Sequence, residues 1–236
     1  MYKSIAIKTR QPALGGAALG VRSIKLEVLG RHRSVPHLGR KFYHFLMGIT
    51  CFSLYAFFLT REQSLFLLVV LGGSFVIADF FRLRYATVNN LVLKYFGGLM
   101  RREELKSISG NSFYVLGLIF VVLFFPKPIV LLSVLFLAVG DPIAAVIGTL
   151  YGKHKIIGKK SLEGAVANLF CSSAAAFLLG YFYLHLSFEK AVVLAILGGI
   201  TSVAAELCPV PVDDNFSIPA LSAVFLTLIT SVLPII

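Results

Sequence analysis

Long apolar runs recur along the chain, over 41–60, 64–81, 112–127, 128–150, 162–184, 188–207 and 216–235, divided by short polar stretches. A helix needs roughly 20 consecutive apolar residues to cross the hydrocarbon core of a bilayer, so the pattern predicts about seven transmembrane helices. The third run is short. The fourth contains Gly140 and Pro142, and proline removes a helical hydrogen bond and clashes with the preceding turn, so a broken helix is expected near Gly140–Pro142. The fold class is therefore all-α, a polytopic helical bundle integral to the membrane. Residues 1–40 are basic and include the run Leu14-Gly15-Gly16-Ala17-Ala18-Leu19-Gly20. They read as a partly disordered cytoplasmic arm, with a short interfacial helix near 21–29 and some likeness in composition to an organelle transit peptide. Residues 85–106 alternate apolar and basic groups, as an amphipathic helix on the membrane surface would. Residues 41–236 form one integral membrane domain.

Composition sharpens this picture. The chain is 58% hydrophobic and 14% charged, with a mean hydropathy of +0.88, which excludes an ordinary soluble domain. The first apolar run begins about 40 residues in, too late for a secretory signal. Cys51, Cys171 and Cys208 sit in or beside apolar runs without metal-ligand spacing and read as small core residues. Trp is absent, so an interfacial aromatic belt falls to tyrosines such as Tyr43, Tyr151 and Tyr181.

The net charge of +11 is unevenly placed: nineteen of the 22 Lys and Arg lie in 1–41, 82–111 and 151–161, and the alternate loops hold Arg61, Lys127 and Lys190. The positive-inside rule puts those three basic segments in the cytoplasm and, with seven spans, the C-terminus outside. A basic face seated on a membrane suits anionic headgroups or a nucleotide rather than nucleic acid. The expected setting is a bacterial inner membrane, or an endoplasmic reticulum or plastid membrane.

The acids follow the same face. Asp79, Glu103, Glu104, Asp141, Glu163, Glu206, Asp213 and Asp214 map to the cytoplasmic ends and loops, leaving Glu62 and Glu189 on the far side. An ionisable group at membrane depth is by default a functional candidate. Asp141 lies about 15 Å inside its span at 1.5 Å per residue, and its carboxylate could ligate Mg²⁺, a hard ion suited to carboxylate and phosphate oxygens. A structural kink with Asp141 paired to a base is the plainer alternative. Lys153, Lys155, Lys159 and Lys160 crowd one short loop with Ser161, Glu163 and Gly164, and lysine binds phosphate as a point charge. Gly148 and its small neighbours permit close approach. Asp79 and Arg82 at i, i+3 could simply form an ion pair. Arg40, Lys41 and His44 open the first span, and Asp213-Asp214-Asn215 sits in a proline-stiffened loop. These residues point to a membrane enzyme that handles a metal-bound polyphosphate where lipid meets cytosol.

In order along 38–222, the blocks Arg40-Lys41-Phe42-Tyr43-His44, Ala78-Asp79-Phe80-Phe81-Arg82-Leu83, Ser107-Ile108-Ser109-Gly110 with Tyr114 and Gly117, Gly140-Asp141-Pro142 through Gly148, Gly152-Lys153, Lys160-Ser161-Leu162-Glu163-Gly164, and Glu206 with Asp213-Asp214-Asn215 resemble the family of membrane lipid-alcohol kinases. Dolichol kinase, phytol kinase and the CTP-dependent diacylglycerol kinases belong to it. The resemblance implies transfer of a γ-phosphoryl group, usually from CTP, to the hydroxyl of a lipid alcohol. On it, Asp141 with Asp213 or Asp214 would hold Mg²⁺, and Lys153, Lys159, Lys160, Ser161, Glu163 and Gly148 would surround the nucleotide. Arg40 and Lys41 would bind phosphate or the headgroup region, and Glu206 or Asp79 would accept the proton. The block Asp141–Gly164 also resembles phosphatidate cytidylyltransferases, although the C-terminal Asp-Asp-Asn loop stands where their own ending would be. No Walker-type phosphate loop is present. A transporter would place acids near the midplane and show an internal repeat; the chain shows neither.

Overall fold

The computed structural model describes residues 38–97, 100–101 and 103–236. The arm before residue 38, with the interfacial helix expected over 21–29, lies outside them. The described chain is helical apart from one small hairpin. Helix α1 (Leu38–Ser53) is prolonged by a π turn over Leu54–Phe58. Helix α2 (Arg61–Leu67) runs through a π turn (Leu68–Gly72) into α3 (Gly73–Arg84). A surface helix α4 (Ala86–Phe96) and a 3-10 turn (Glu103–Leu105) follow, a shorter helix than the 85–106 pattern suggested. Then come α5 (Gly110–Phe124), α6 (Lys127–Leu135) and α7 (Asp141–Leu150), the last two joined by a π turn over Phe136–Gly140. Strands β1 (Lys155–Ile157) and β2 (Lys160–Ser161) form an antiparallel hairpin. Helices α8 (Leu162–Leu178, with a π turn over Leu179–Tyr183), α9 (Phe188–Leu207) and α10 (Asp214–Val232) complete the bundle.

Five helical rods among the described residues are long and apolar enough to cross a membrane: Arg61–Arg84, Lys127–Leu150, Leu162–Tyr183, Phe188–Leu207 and Asp214–Val232. Gly110–Phe124 is apolar but shorter. The ends are set by local chemistry. Ser109, Ser161, Ser187 and Asp213 cap α5, α8, α9 and α10 through their side-chain oxygens, and Thr60 forms a reciprocal capping box with Gln63 at α2.

The expected break at Gly140–Pro142 is corrected. Gly140 and Asp141 both keep right-handed helical dihedrals, and the chain is one rod from Lys127 to Leu150. The i→i+5 bonding of the π turn, in which Asp141 N–H donates to the Phe136 carbonyl, shifts the bonding register just ahead of Pro142, whose missing N–H then costs little. Gly140 serves packing: a Cβ there would run into Asn168 Oδ1 and lie 2.6 Å from Ser172 Oγ on α8. This rod is the axis of the bundle. Val130, Leu131, Leu132, Phe136 and Leu137 are almost wholly enclosed, and 78% of its apolar window is buried against 11% for Arg61–Arg84, which lies at the periphery.

Candidate active site

The up-and-down order of the rods brings the starts of α1, α8 and α10 and the end of α9 to one end of the bundle. Asp141 reaches the same region from the middle of its rod. There they enclose a cavity of about 1310 Å³. Its charged lining is balanced, with Arg40, Lys41, Arg101, Lys155, Lys159 and Lys160 against Glu103, Glu104, Asp141, Glu206, Asp213 and Asp214. Most of these carboxylates are already matched. Lys41 Nζ is ion-paired to Asp141 Oδ2. Arg101 Nη1 donates to Asp213 Oδ2 at 2.8 Å and Lys160 Nζ to Asp214 Oδ1 at 3.2 Å. Glu104 accepts from the backbone N–H groups of Arg101 (3.0 Å) and Gly110 (3.2 Å). Glu103, at the head of the 3-10 turn, is held below the usual carboxylate range by its own backbone N–H.

Glu206 differs from these. Its buried carboxylate accepts a hydrogen bond from Asn168 Nδ2 at 2.6 Å and has no ion pair among the described residues. Asn168 is itself locked, since Oδ1 accepts from Ser172 Oγ (2.6 Å) and Ser202 Oγ (2.9 Å). Lys160 Nζ also donates to the Glu206 carbonyl, pinning β2 to the end of α9.

The hairpin carries the lysines. Ser161 caps α8 by accepting from Gly164 N–H at 3.2 Å, so strand ends and helix begins at one residue. Lys155 pairs with Ser161 in register, and the turn passes through Gly158 at φ +55°. Lys155, Lys159, Lys160, Ser161 and Gly148 line the cavity, whereas Lys153 and Glu163 do not. Lys153 is exposed. Glu163 closes the hairpin instead, accepting from His154 N–H at 3.2 Å and meeting His154 Nδ1 at 2.8 Å.

Gly152 makes the hairpin's base possible. A Cβ there would strike the Gly148 carbonyl and approach Ser161 Oγ to 2.6 Å. Gly152→Ala should therefore destabilise the protein by about 1–3 kcal/mol, as overpacking does. Thermal melts in detergent check this; a variant that melts with the parent would contradict it.

Asp79 lies outside the cavity lining. It is buried and saturated, accepting from Arg82 Nε (2.8 Å), Ser109 N–H (2.7 Å) and Ser112 Oγ (2.8 Å). Sequence reasoning passed over Arg101, Glu104 and Asn168 as site residues. The first two lay in a segment read as a surface helix. Asn168, a polar side chain inside an apolar span, carried the signal that marked Asp141.

The chain is similar to curated proteins over most of its length. It is 31% identical to CTP-dependent diacylglycerol kinase 1 of Saccharomyces cerevisiae over 206 residues, covering 79% of this chain and 71% of that protein. The protein of that name in Schizosaccharomyces pombe is 31% identical over 161 residues, 64% of this chain and 74% of the relative. Phytol kinase 1, chloroplastic, of Arabidopsis thaliana is 28% identical over 221 residues, 87% of this chain and 70% of the relative. No family model matches the chain, and no solved structure does.

Proposed function

The chain belongs to the lipid-alcohol kinase family and is a multi-pass membrane phosphotransferase, and on that footing we propose that it transfers the γ-phosphoryl group of CTP to the hydroxyl of a membrane lipid alcohol. Diacylglycerol and phytol are the acceptors its relatives are named for, and a polyprenol such as dolichol presents the same hydroxyl. The observation that carries the proposal is the polar cavity at one end of an apolar bundle, where the hairpin lysines face carboxylates from α7, α9 and α10. Charge placement supports a cytoplasmic mouth, because the far ends of the rods carry the sparse Arg61, Lys127 and Lys190.

Phosphoryl transfer is catalysed chiefly by positioning and charge neutralisation. Lys155, Lys159 and Lys160 neutralise the triphosphate, and Arg40 and Lys41 face it across the cavity. Among the described residues no three His, Cys, Asp or Glu side chains converge to hold a metal unaided. Mg²⁺ is usually bound by one or two carboxylates with substrate phosphates and water completing its shell. Asp141, with Asp213 or Asp214 exchanging its basic partner, would hold it, and the ion would spread the charge of the phosphates. The acceptor O–H attacks the γ-phosphorus, the bond to the β–γ bridging oxygen breaks, CDP leaves, and the proton passes to a carboxylate. We assign that carboxylate to Glu206, which takes a proton without giving up an ion pair.

The direct test supplies purified protein in micelles with Mg²⁺, CTP labelled separately at the α- and γ-phosphates, and a mixture of diacylglycerol, a polyprenol, phytol and phosphatidic acid. γ-Label is expected in an alcohol, which chromatography then identifies. α-Label in phosphatidic acid would make the protein a cytidylyltransferase and overturn the kinase reading.

A further inference from the structure

A second cavity has a volume of about 400 Å³. It is a groove with α1 on one side and α2–α3 on the other, floored by α5 and α6, and no charged side chain lines it. Met47, Leu54, Leu68, Phe75, Leu118 and Leu131 form its walls. On α1, Arg40 and Lys41 face the polar cavity while Tyr43 and His44, two and three residues beyond Lys41, face the groove; on α5, Phe113 faces the former while Asn111 and Tyr114 face the latter. The two spaces thus adjoin along the same two helices. From His44 to Tyr55 the groove follows α1 and its π turn for about 16 Å at 1.5 Å per residue, about half the depth of a ~30 Å hydrocarbon core. Its outer end is tied down where Lys127 Nζ (3.2 Å) and Tyr183 Oη (2.7 Å) both donate to the Ala56 carbonyl.

Two residues that line it carry polar groups without partners. Tyr114 Oη and Ser64 Oγ are buried and make no hydrogen bond among the described residues; Tyr114 is 3% and Ser64 5% exposed. Buried hydroxyls are normally satisfied. Tyr114 stands at the polar end, its ring 5.5 Å from that of His44. His44, Tyr114 and Asn111 are the polar side chains at that end, with no Lys or Arg among the groove's lining residues to meet an anionic headgroup.

Resting on the lipid-kinase reading, we propose that this groove holds one hydrocarbon chain of the acceptor lipid. The chain lies along α1, the hydroxyl end meets Tyr114 and His44, and from there it reaches the polar cavity beside Lys41 and Asp141. The groove, not the phosphate cavity, then selects acceptors by chain length.

Two measurements on the full chain in lipid nanodiscs test it. The first photolyses a long-chain fatty alcohol carrying a diazirine at its terminal carbon and maps the label by mass spectrometry. Label is expected on the groove walls near Leu54, Leu68 and Leu131, and unlabelled alcohol should displace it. Even labelling of the bilayer-facing residues Phe170, Phe182 and Leu228, without displacement, would mean ordinary boundary lipid and overturn the proposal. The second compares Leu54→Trp and Met47→Trp with the parent on short- and long-chain acceptors, both sites being partly exposed. Leu54→Trp should lower the long-to-short rate ratio by about tenfold, and Met47→Trp should move the cutoff to still shorter chains; an unchanged ratio in both would overturn it. If the parent phosphorylates no alcohol, the kinase reading has failed, and photolabelling still decides the groove.

Discussion

Asp141→Asn is expected to cut turnover by a factor of about 10²–10³ or more, the size of loss seen when one preorganised electrostatic contact to a transition state is removed. The side chain keeps its shape but loses its charge, and two consequences follow. Lys41, paired to Asp141 across 100 positions of sequence, is left with its ammonium in a site where its side chain is only 15% exposed. Orphaning one member of a buried pair costs up to about 3–5 kcal/mol, although the cavity admits water and lowers that figure here. The carboxylate proposed to meet the metal-bound triphosphate is also gone. Adding Lys41→Met to Asp141→Asn separates the effects. The double variant should recover much of the lost melting temperature and none of the lost rate. γ-Phosphate transfer measured on monodisperse protein, beside a thermal melt, is the check, and full turnover in Asp141→Asn would remove the residue from the mechanism.

The membrane made the outline of this fold legible. A bilayer demands runs of apolar residues, and the runs 64–81, 128–150, 162–184 and 188–207 lie within or within one or two residues of Arg61–Arg84, Lys127–Leu150, Leu162–Tyr183 and Phe188–Leu207. The crowding of lysines and acids at the same ends of the apolar runs agrees with a charged cavity at one end of the bundle. What stayed hidden is fixed by tertiary packing. π turns have no compositional signature, so Pro142 suggested a break where the helix had changed its hydrogen-bond register. Lysine density could not say which side of a hairpin each lysine occupies, and Lys155 stands on the cavity where Lys153 had been expected. Pairings such as Arg101 with Asp213 join segments 112 positions apart, and no local pattern encodes them. The i, i+3 spacing of Asp79 and Arg82 did encode theirs.

That pair separates a scaffold role from a chemical one. Arg82, 1% exposed, donates to Asp79 Oδ1 and Asn89 Oδ1 and to the carbonyls of Glu104 (3.0 Å) and Ser107 (2.8 Å), binding α3 to the segment that leads into α5. Arg82→Ala leaves Asp79 charged and buried and frees two carbonyls, so a loss of about 3–5 kcal/mol is expected, seen as a collapse of the melting temperature or of the monodisperse peak. Arg82→Lys should rescue little, because an ammonium cannot reproduce the planar fork that spans these acceptors. Asp79→Asn keeps one acceptor oxygen but leaves the buried Arg82 guanidinium without its counter-charge, so it should also cost about 3–5 kcal/mol. Per folded molecule its kcat should stay within a few-fold of the parent, since Asp79 does not line the cavity. A proton acceptor would behave in the opposite way, with stability kept and kcat lowered by about 10²–10⁴. Glu206→Gln is expected to show that second pattern, because the Asn168 bond can persist to the amide oxygen while the proton-accepting oxygen is lost. If Asp79→Asn gives the kinetic loss and Glu206→Gln does not, the proton goes to Asp79, and the three hydrogen bonds on its carboxylate are what orient it.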